Sequence, residues 1–395
     1  MTLAAAPFEL GINYWPRRKA MYMWRAFDLV EVRDELAHIA DMGFDAVRLF
    51  VLAQDFLPAR DRVDAEMVGR LVDVARVAKE QGLSIVPTLI VINMSGASWW
   101  PAWMLDATGA PADLYGDPFL VRSQTQLVGA CASALAGDAS VRAFDIANEI
   151  DDAQRPASRE AARAWTSTMA NAIRLAAPGA RVRIGAHLPS LTTENHMRID
   201  DLGATLDEDV MHAYPLYSEY ARSFLDPELV PFACALTAQL SGQRRPPLMQ
   251  EFGLCMAPKG STGISIVDDF LGQPRKQYLA SEDEGATYYE SVITRLAQTG
   301  AAGAYAWCYA DYDAQLFDRP PLDRAVRERT FGLVRADGSE KPAAQVFRGL
   351  RASRDAEGLP RGTQPEVLDV SADEYYRAPG AHFARLYTQW LARCG

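Results

Sequence analysis

The chain has 395 residues, of which 49% are hydrophobic, 23% charged and 10% aromatic, with a formal net charge of −11. This is globular composition with enough apolar mass for a large core. The negative balance argues against nucleic acid or an anionic membrane surface as the main partner, and no run nears the ~18 apolar residues of a membrane helix.

The N-terminus, "MTLAAAPFELGINYWP", has neither a basic n-region nor a long apolar h-region, so no signal peptide is expected. Cys131, Cys234, Cys255, Cys308 and Cys394 are scattered and fit neither a disulfide framework nor zinc spacing. A reduced, cytoplasmic setting is the simplest expectation.

From "FELGINYW" onward, short apolar runs alternate with helical patterns. In "DLVEVRDELAHIADMG", Asp28 and Glu31 open a helix in the manner of a capping box, and Val32, Leu36 and Ile39 share a face before Gly43. After "DAVRLFV" comes "DAEMVGRLVDVARVAKEQG", with Met67, Leu71, Val74 and Ala78 on one face. The remaining runs are "SIVPTLIV", "RAFDIANE", "RVRIGAH", "VMHAYP", "LMQEF" and "AGAYAWCY". Strands alternating with helices predict a (β/α)8 barrel in one domain over residues 1–355. A doubly wound nucleotide-binding sheet is disfavoured, because "GINYWPRR" lacks the glycine-rich turn. Residues 356–395 read as an extension whose helix packs Phe383, Leu386 and Trp390 on the barrel.

Barrel chemistry gathers at the C-terminal strand ends. Arg48 stands on the second strand, Asn148 and Glu149 close the fourth, and His212 and Tyr214 the sixth. Glu251 lies on the seventh strand and Trp307 on the eighth. Each has an ordinary structural explanation alone: a solvated or capping carboxylate, an ion pair, a core histidine or tryptophan. Two glutamates on opposite strands with Arg, His, Tyr and Trp between them form a set that carries more weight.

This set resembles the retaining glycosidases of clan A, and within them glycoside hydrolase family 5. The likeness runs from "GINYWP" through "VRLF", "IANE", "HAYP" and "QEFG" to "AWCYAD". It implies Glu149 as acid/base, Glu251 as nucleophile, and Arg48, Asn148, His212, Tyr214 and Trp307 around the sugar. The family's strand-three histidine is replaced by Asn93 or a neighbour in "TLIVINMSG". Trp15 in "NYWP" and Trp100 in "SWWPAW" are expected as site walls, with no metal or other cofactor. The resemblance is greatest to exo-acting β-mannosidase-type members, which implies a retaining β-glycosidase acting on gluco- or manno-configured oligosaccharides. An open-cleft endo-mannanase or glucanase, or a non-catalytic sugar-binding barrel, are the alternatives. The long segment after Glu251 is expected to form a lid or binding loop. A metal-dependent barrel would have to use His187, Glu194 and His196, whose spacing fits no common site. A Schiff-base aldolase lacks a strand-end lysine.

Overall fold

The computed structural model describes residues 7–242, 245–270, 272–359 and 362–394. Parallel strands need residues that tolerate burial on both faces, and the apolar runs supply them. They form β1 (Glu9–Asn13), β2 (Ala46–Leu52), β3 (Ser84–Val91), β4 (Phe144–Asn148), β5 (Val182–Gly185), β6 (Val210–His212), β7 (Leu248–Phe252) and β8 (Gly303–Ala306). The sheet order is β5-β4-β3-β2-β1-β8-β7-β6, with parallel pairing throughout. A parallel bridge between His187 and His212 joins β5 to β6. The His212 amide donates to the Ala186 carbonyl there at 2.8 Å. The eight-stranded barrel is thereby closed.

A helix follows each strand: α1 (Leu29–Asp41), α2 (Ala65–Glu80), α3 (Pro118–Ala134), α4 (Arg159–Ala176), α5 (Ile199–Thr205), α6 (Leu229–Leu240), α7 (Glu282–Gln298) and α8 (Pro342–Glu357). Asp28, Asp64, Asp117, Ser158 and Ser281 cap α1, α2, α3, α4 and α7 through their side chains. The capping box expected at Asp28 is only half made. Asp28 accepts from Val30 and Glu31 amides, whereas the Glu31 carboxylate accepts the Arg18 amide at 3.3 Å. Arg18 offers Glu31 a partner outside the helix, and the reciprocal bond forms instead between Ser281 and Glu284.

Ala46, Val86, Val210, Leu248 and Tyr305 form a small buried cluster of strand residues. This packing leaves the C-terminal rim for polar groups. Two connections there carry structure of their own. A short hairpin pairs Asn93–Met94 with Ala97–Ser98, and the long segment after β7 forms an antiparallel hairpin, Ile264–Phe270 with Gln273–Leu279.

The last helix, α9 (Pro379–Cys394), lies against α6. Phe383 meets the Phe232 ring edge-on at 5.0 Å, and Trp390 donates to Glu228 at 2.9 Å. Cys131, Cys234, Cys255 and Cys308 are buried free thiols. No helix among the described residues is long and apolar enough to cross a membrane.

Candidate active site

Arg48 organises the rim from beneath. It is fully buried in the middle of β2, where a guanidinium must be paired on every side to be tolerated. Its Nη1 contacts Glu251 Oε1. Nε and Nη2 both donate to Asp145 Oδ2, at 3.0 and 2.8 Å, and Nη2 also reaches Asn148 Oδ1 at 3.0 Å. Asp145 is further held by Thr88 and by Gln250, each at 2.7 Å. Asn13 accepts from Arg48 at 3.2 Å and donates to the Gln250 and Ala306 carbonyls, which ties β1 to β7 and β8.

Gly185 makes this packing possible. A Cβ there would lie 2.8 Å from His212 Cε1 and 2.9 Å from Arg48 Nη2. Any side chain at the end of β5 would displace the arginine or the histidine.

Glu251, on β7, points into the barrel mouth with its carboxylate fixed at both oxygens. Arg48 occupies Oε1, and the Tyr214 hydroxyl donates to Oε2 at 2.9 Å. Glu149 follows β4 in a left-handed conformation, φ +41°. Such a conformation costs of order 1–3 kcal/mol for a non-glycine residue. Its side chain is about one-fifth exposed, and Oε1 lies 2.8 Å from His212 Nδ1. Glu149, His212 and Glu251 bring their oxygen and nitrogen atoms within 4.8 Å of one another.

The two carboxylates sit in different surroundings. Desolvation raises the Glu149 pKa, Asp151 adds to the rise, and the nearby cations His187 and Arg48 oppose it. Burial drives the His212 pKa down to about 3, although Glu251 opposes the change, so His212 is neutral. Burial would also lower His187, but Asp151, Asp152 and Glu149 outweigh it and lift its pKa to about 10. His187 is therefore an imidazolium, 2.8 Å from Asp151 and 3.7 Å from Glu149 Oε2. Asn195 also donates to Asp151, at 2.5 Å.

A cavity of about 360 Å³ opens over these groups. Asn93, Asn148, Glu149, His212, Tyr214, Glu251 and Trp307 all line it, and Arg48 supports it from below. The Asn93 amide accepts from Ser98 at 2.9 Å, and its carbonyl accepts from Asn148 at 3.3 Å. Trp307 stands edge-on to Phe50 at 5.7 Å. Trp15 lies behind Phe50, stacked on it at 5.4 Å, and is fully buried. Neither Trp15 nor Trp100 is on the cavity wall; Trp15 is part of the apolar core, and Trp100 is half-buried against it.

Several site groups were not foreseen from the sequence. Asp145 and Gln250 are polar residues inside apolar strands, and that anomaly is itself a signal, because buried polar groups require partners. Asp151, in the acidic run after β4, is the buried partner of His187. Glu328 and Arg327, from the turn after β8, also line the cavity, and nothing in "VRERT" separates them from surface charge.

Among the described residues, two clusters have enough ligand atoms for a cation: Glu149–His212–Glu251 and Glu149–Asp152–His187. The chemistry is unfavourable in both. Arg48 already places a fixed positive charge on Glu251, and the second cluster centres on an imidazolium. His187 gathers with Glu149 and Asp152, while His196 pairs with Glu194 at 3.4 Å.

No protein-family model matches the chain, and no curated protein matches it. Solved structures do. A GH5_18 protein from Streptomyces cattleya in complex with GlcNAc superposes with a TM-score of 0.82 and 23% identity, covering 98% of this chain and 92% of that one. A variant GH5_18 protein from the same organism, in complex with Manβ1-4GlcNAc, gives a TM-score of 0.79 and 22% identity over 97% of this chain and 92% of that one. An exo-β-1,4-mannosidase from Opitutaceae bacterium strain TAV5 gives 0.75 and 24%, over 90% of this chain and 61% of that one. At these identities the likeness establishes a common barrel fold.

Proposed function

We propose that the chain is a retaining β-glycosidase of the family 5 kind that removes single β-mannosyl residues from short oligosaccharides. The observation that carries this reading is the pair of carboxylates, Glu149 and Glu251, with oxygens no more than 4.8 Å apart. Retaining glycosidases place their carboxyl groups about 5–5.5 Å apart, and inverting ones about 6.5–9.5 Å, to admit a water.

Glu251 is the nucleophile. Arg48 and Tyr214 hold its two oxygens in line with the anomeric carbon. Glu149 is the acid/base, its pKa raised by desolvation and by Asp151 against the pull of His187 and Arg48. In the first step Glu149 gives its proton to the glycosidic oxygen while Glu251 attacks the anomeric carbon. The negative charge on Glu251 is then consumed in the glycosyl ester, which makes Glu149 more acidic. Glu149 next takes a proton from water, and the water displaces Glu251 from the same face that the leaving group vacated. Asn148 has its carbonyl fixed by Arg48 and one amide hydrogen on Asn93, so its second hydrogen is available to the sugar 2-hydroxyl. Trp307 provides an apolar surface for the sugar's C–H face.

A small walled cavity favours exo action over an endo-enzyme's open cleft. The neighbours solved with GlcNAc and Manβ1-4GlcNAc, and the exo-β-1,4-mannosidase, support mannose as the sugar cleaved. The test is a panel of aryl β-mannoside, β-glucoside, β-galactoside and β-xyloside together with Manβ1-4GlcNAc, following the first-formed anomer by NMR. Preferred β-mannoside turnover with the β-anomer released first is expected. An α-anomer, or turnover that persists in Glu251→Ala, overturns the reading.

A further inference from the structure

A third carboxylate in the cavity has no part in that mechanism. Glu328 is 5% exposed, in the 3-10 turn Val326–Thr330 after β8, and it lines the cavity with Ser95, Tyr217 and Arg327. Its position follows from a chain of aromatics. Tyr214 holds Glu251, the Tyr214 and Tyr217 rings lie 5.4 Å apart, and the Tyr217 hydroxyl donates to Glu328 Oε1 at 3.0 Å. Glu328 therefore stands on the nucleophile's side of the cavity, where the glycone sugar lies. The β4 and β5 loops around Glu149 form the leaving-group side.

Glu328 is not simply the counter-ion of Arg327. The Arg327 guanidinium spends its best bonds elsewhere, on Asp268 at 2.8 Å and on the Asp269 carbonyl at 2.7 Å. Its Nε reaches Glu328 Oε1 only at 3.5 Å. The Tyr217 and Arg327 contacts both fall on Oε1. The buried Ser95 hydroxyl sits beside Glu328 without a well-aligned hydrogen bond of its own. A desolvated carboxylate next to an under-used hydroxyl is costly unless something in the cavity completes it.

The surrounding loops are built to hold this corner rigid. Asp268, from the long hairpin after β7, accepts from the Val326 and Arg327 amides at 2.8 and 3.0 Å and from the Arg327 side chain. Gly96, at φ +77°, lets the hairpin after β3 close on the same arginine: a Cβ there would lie 3.2 Å from Arg327 Nη2. Three loops thus meet in an end wall with a carboxylate and a hydroxyl on its inner face.

We infer that Glu328, with Ser95, is a recognition site for the glycone hydroxyls remote from the anomeric carbon, those at C3, C4 or C6. By occupying the cavity's end it admits only a sugar with those hydroxyls free, and so enforces removal of terminal residues. This inference rests on the glycosidase reading above.

The test compares kcat/KM for 4-nitrophenyl β-mannoside and its 3-, 4- and 6-deoxy analogues in wild type, Glu328→Gln, Glu328→Ala and Ser95→Ala. Wild type is expected to lose about ten- to a hundredfold on at least one deoxy analogue, the scale of a hydrogen bond to a charged group. In Glu328→Gln and Glu328→Ala that ratio should collapse toward one, because the parent substrate loses activity while the deoxy analogue barely changes. A merely structural role would depress both substrates together and leave the ratio intact. Ser95→Ala keeps the carboxylate and should lower the ratio partway, which serves the test should Glu328→Ala fold poorly. An unchanged ratio in the folded variants, or no deoxy penalty in wild type, overturns the inference while the glycosidase reading stands. Wild type inactive on every glycoside instead defeats the underlying reading.

Discussion

Replacing Glu149 with glutamine keeps the side chain's shape and its contact with His212 but removes both the proton donor and the base. A positioned acid or base contributes about 10²–10⁴-fold, or roughly 2.7–5.4 kcal/mol of barrier at 1.36 kcal/mol per tenfold. The structure predicts how that loss divides between substrates. A sugar leaving group such as that of Manβ1-4GlcNAc needs protonation, so kcat/KM should fall by the full amount. A 2,4-dinitrophenyl glycoside departs without help, so kcat/KM should stay within about tenfold while kcat collapses, because the glycosyl-enzyme now lacks its base. Stopped-flow assay should show a burst of dinitrophenol. Added azide should restore turnover and yield the β-glycosyl azide. The pH profile gives a second readout. Desolvation and Asp151 raise the Glu149 pKa, so the alkaline limb of kcat/KM should lie above the usual carboxylate range in wild type and vanish in Glu149→Gln. Equal losses on the two substrates, a surviving alkaline limb or an α-azide product would refute the assignment.

Arg48→Met should cost about 3–5 kcal/mol of stability, since it leaves Asp145 and Glu251 buried without their cation; urea denaturation measures it. His187→Gln should move the alkaline limb of kcat/KM further up, because the imidazolium favours the ionised form of Glu149. His187 also gives a pH signature of folding. Its folded pKa, about 10, exceeds the unfolded 6.5, so its contribution is complete below pH 6.5 and is lost as pH rises toward 10. Thermal melts across that window should fall more steeply in wild type than in His187→Gln. Gly185→Ala should destabilise by about 1–3 kcal/mol through overpacking and depress kcat, because its methyl group would press on His212 and Arg48.

The barrel was legible because the buried strands are apolar runs and five of the crossover helices open on a capping side chain. The cluster of polar groups lining the cavity was legible because they break apolar strand patterns at or near the strand ends. The misses have physical reasons. Trp15 and Trp100 are aromatic residues in rim loops, and sequence alone does not distinguish a ring facing a cavity from one wedged behind Phe50. Asp151 sits next to Asp152 in a run of three acids, Glu149, Asp151 and Asp152, that reads as solvent-facing, yet His187, from the next strand's end, buries one and leaves the other exposed. Glu328 depends on three loops meeting, a long-range arrangement with no local period. His187 was weighed only as a metal ligand, because its true partner lies 36 residues away.

Covalent catalysis by Glu251 leaves a trappable glycosyl-enzyme. Incubation with 2-deoxy-2-fluoro-β-mannosyl fluoride, followed by proteolysis and peptide mass spectrometry, tests it directly. One stoichiometric fluoroglycosyl label is expected on the peptide "LMQEFGLCM", carried by Glu251. A label on Glu149, or an active enzyme that takes up no label, would contradict it.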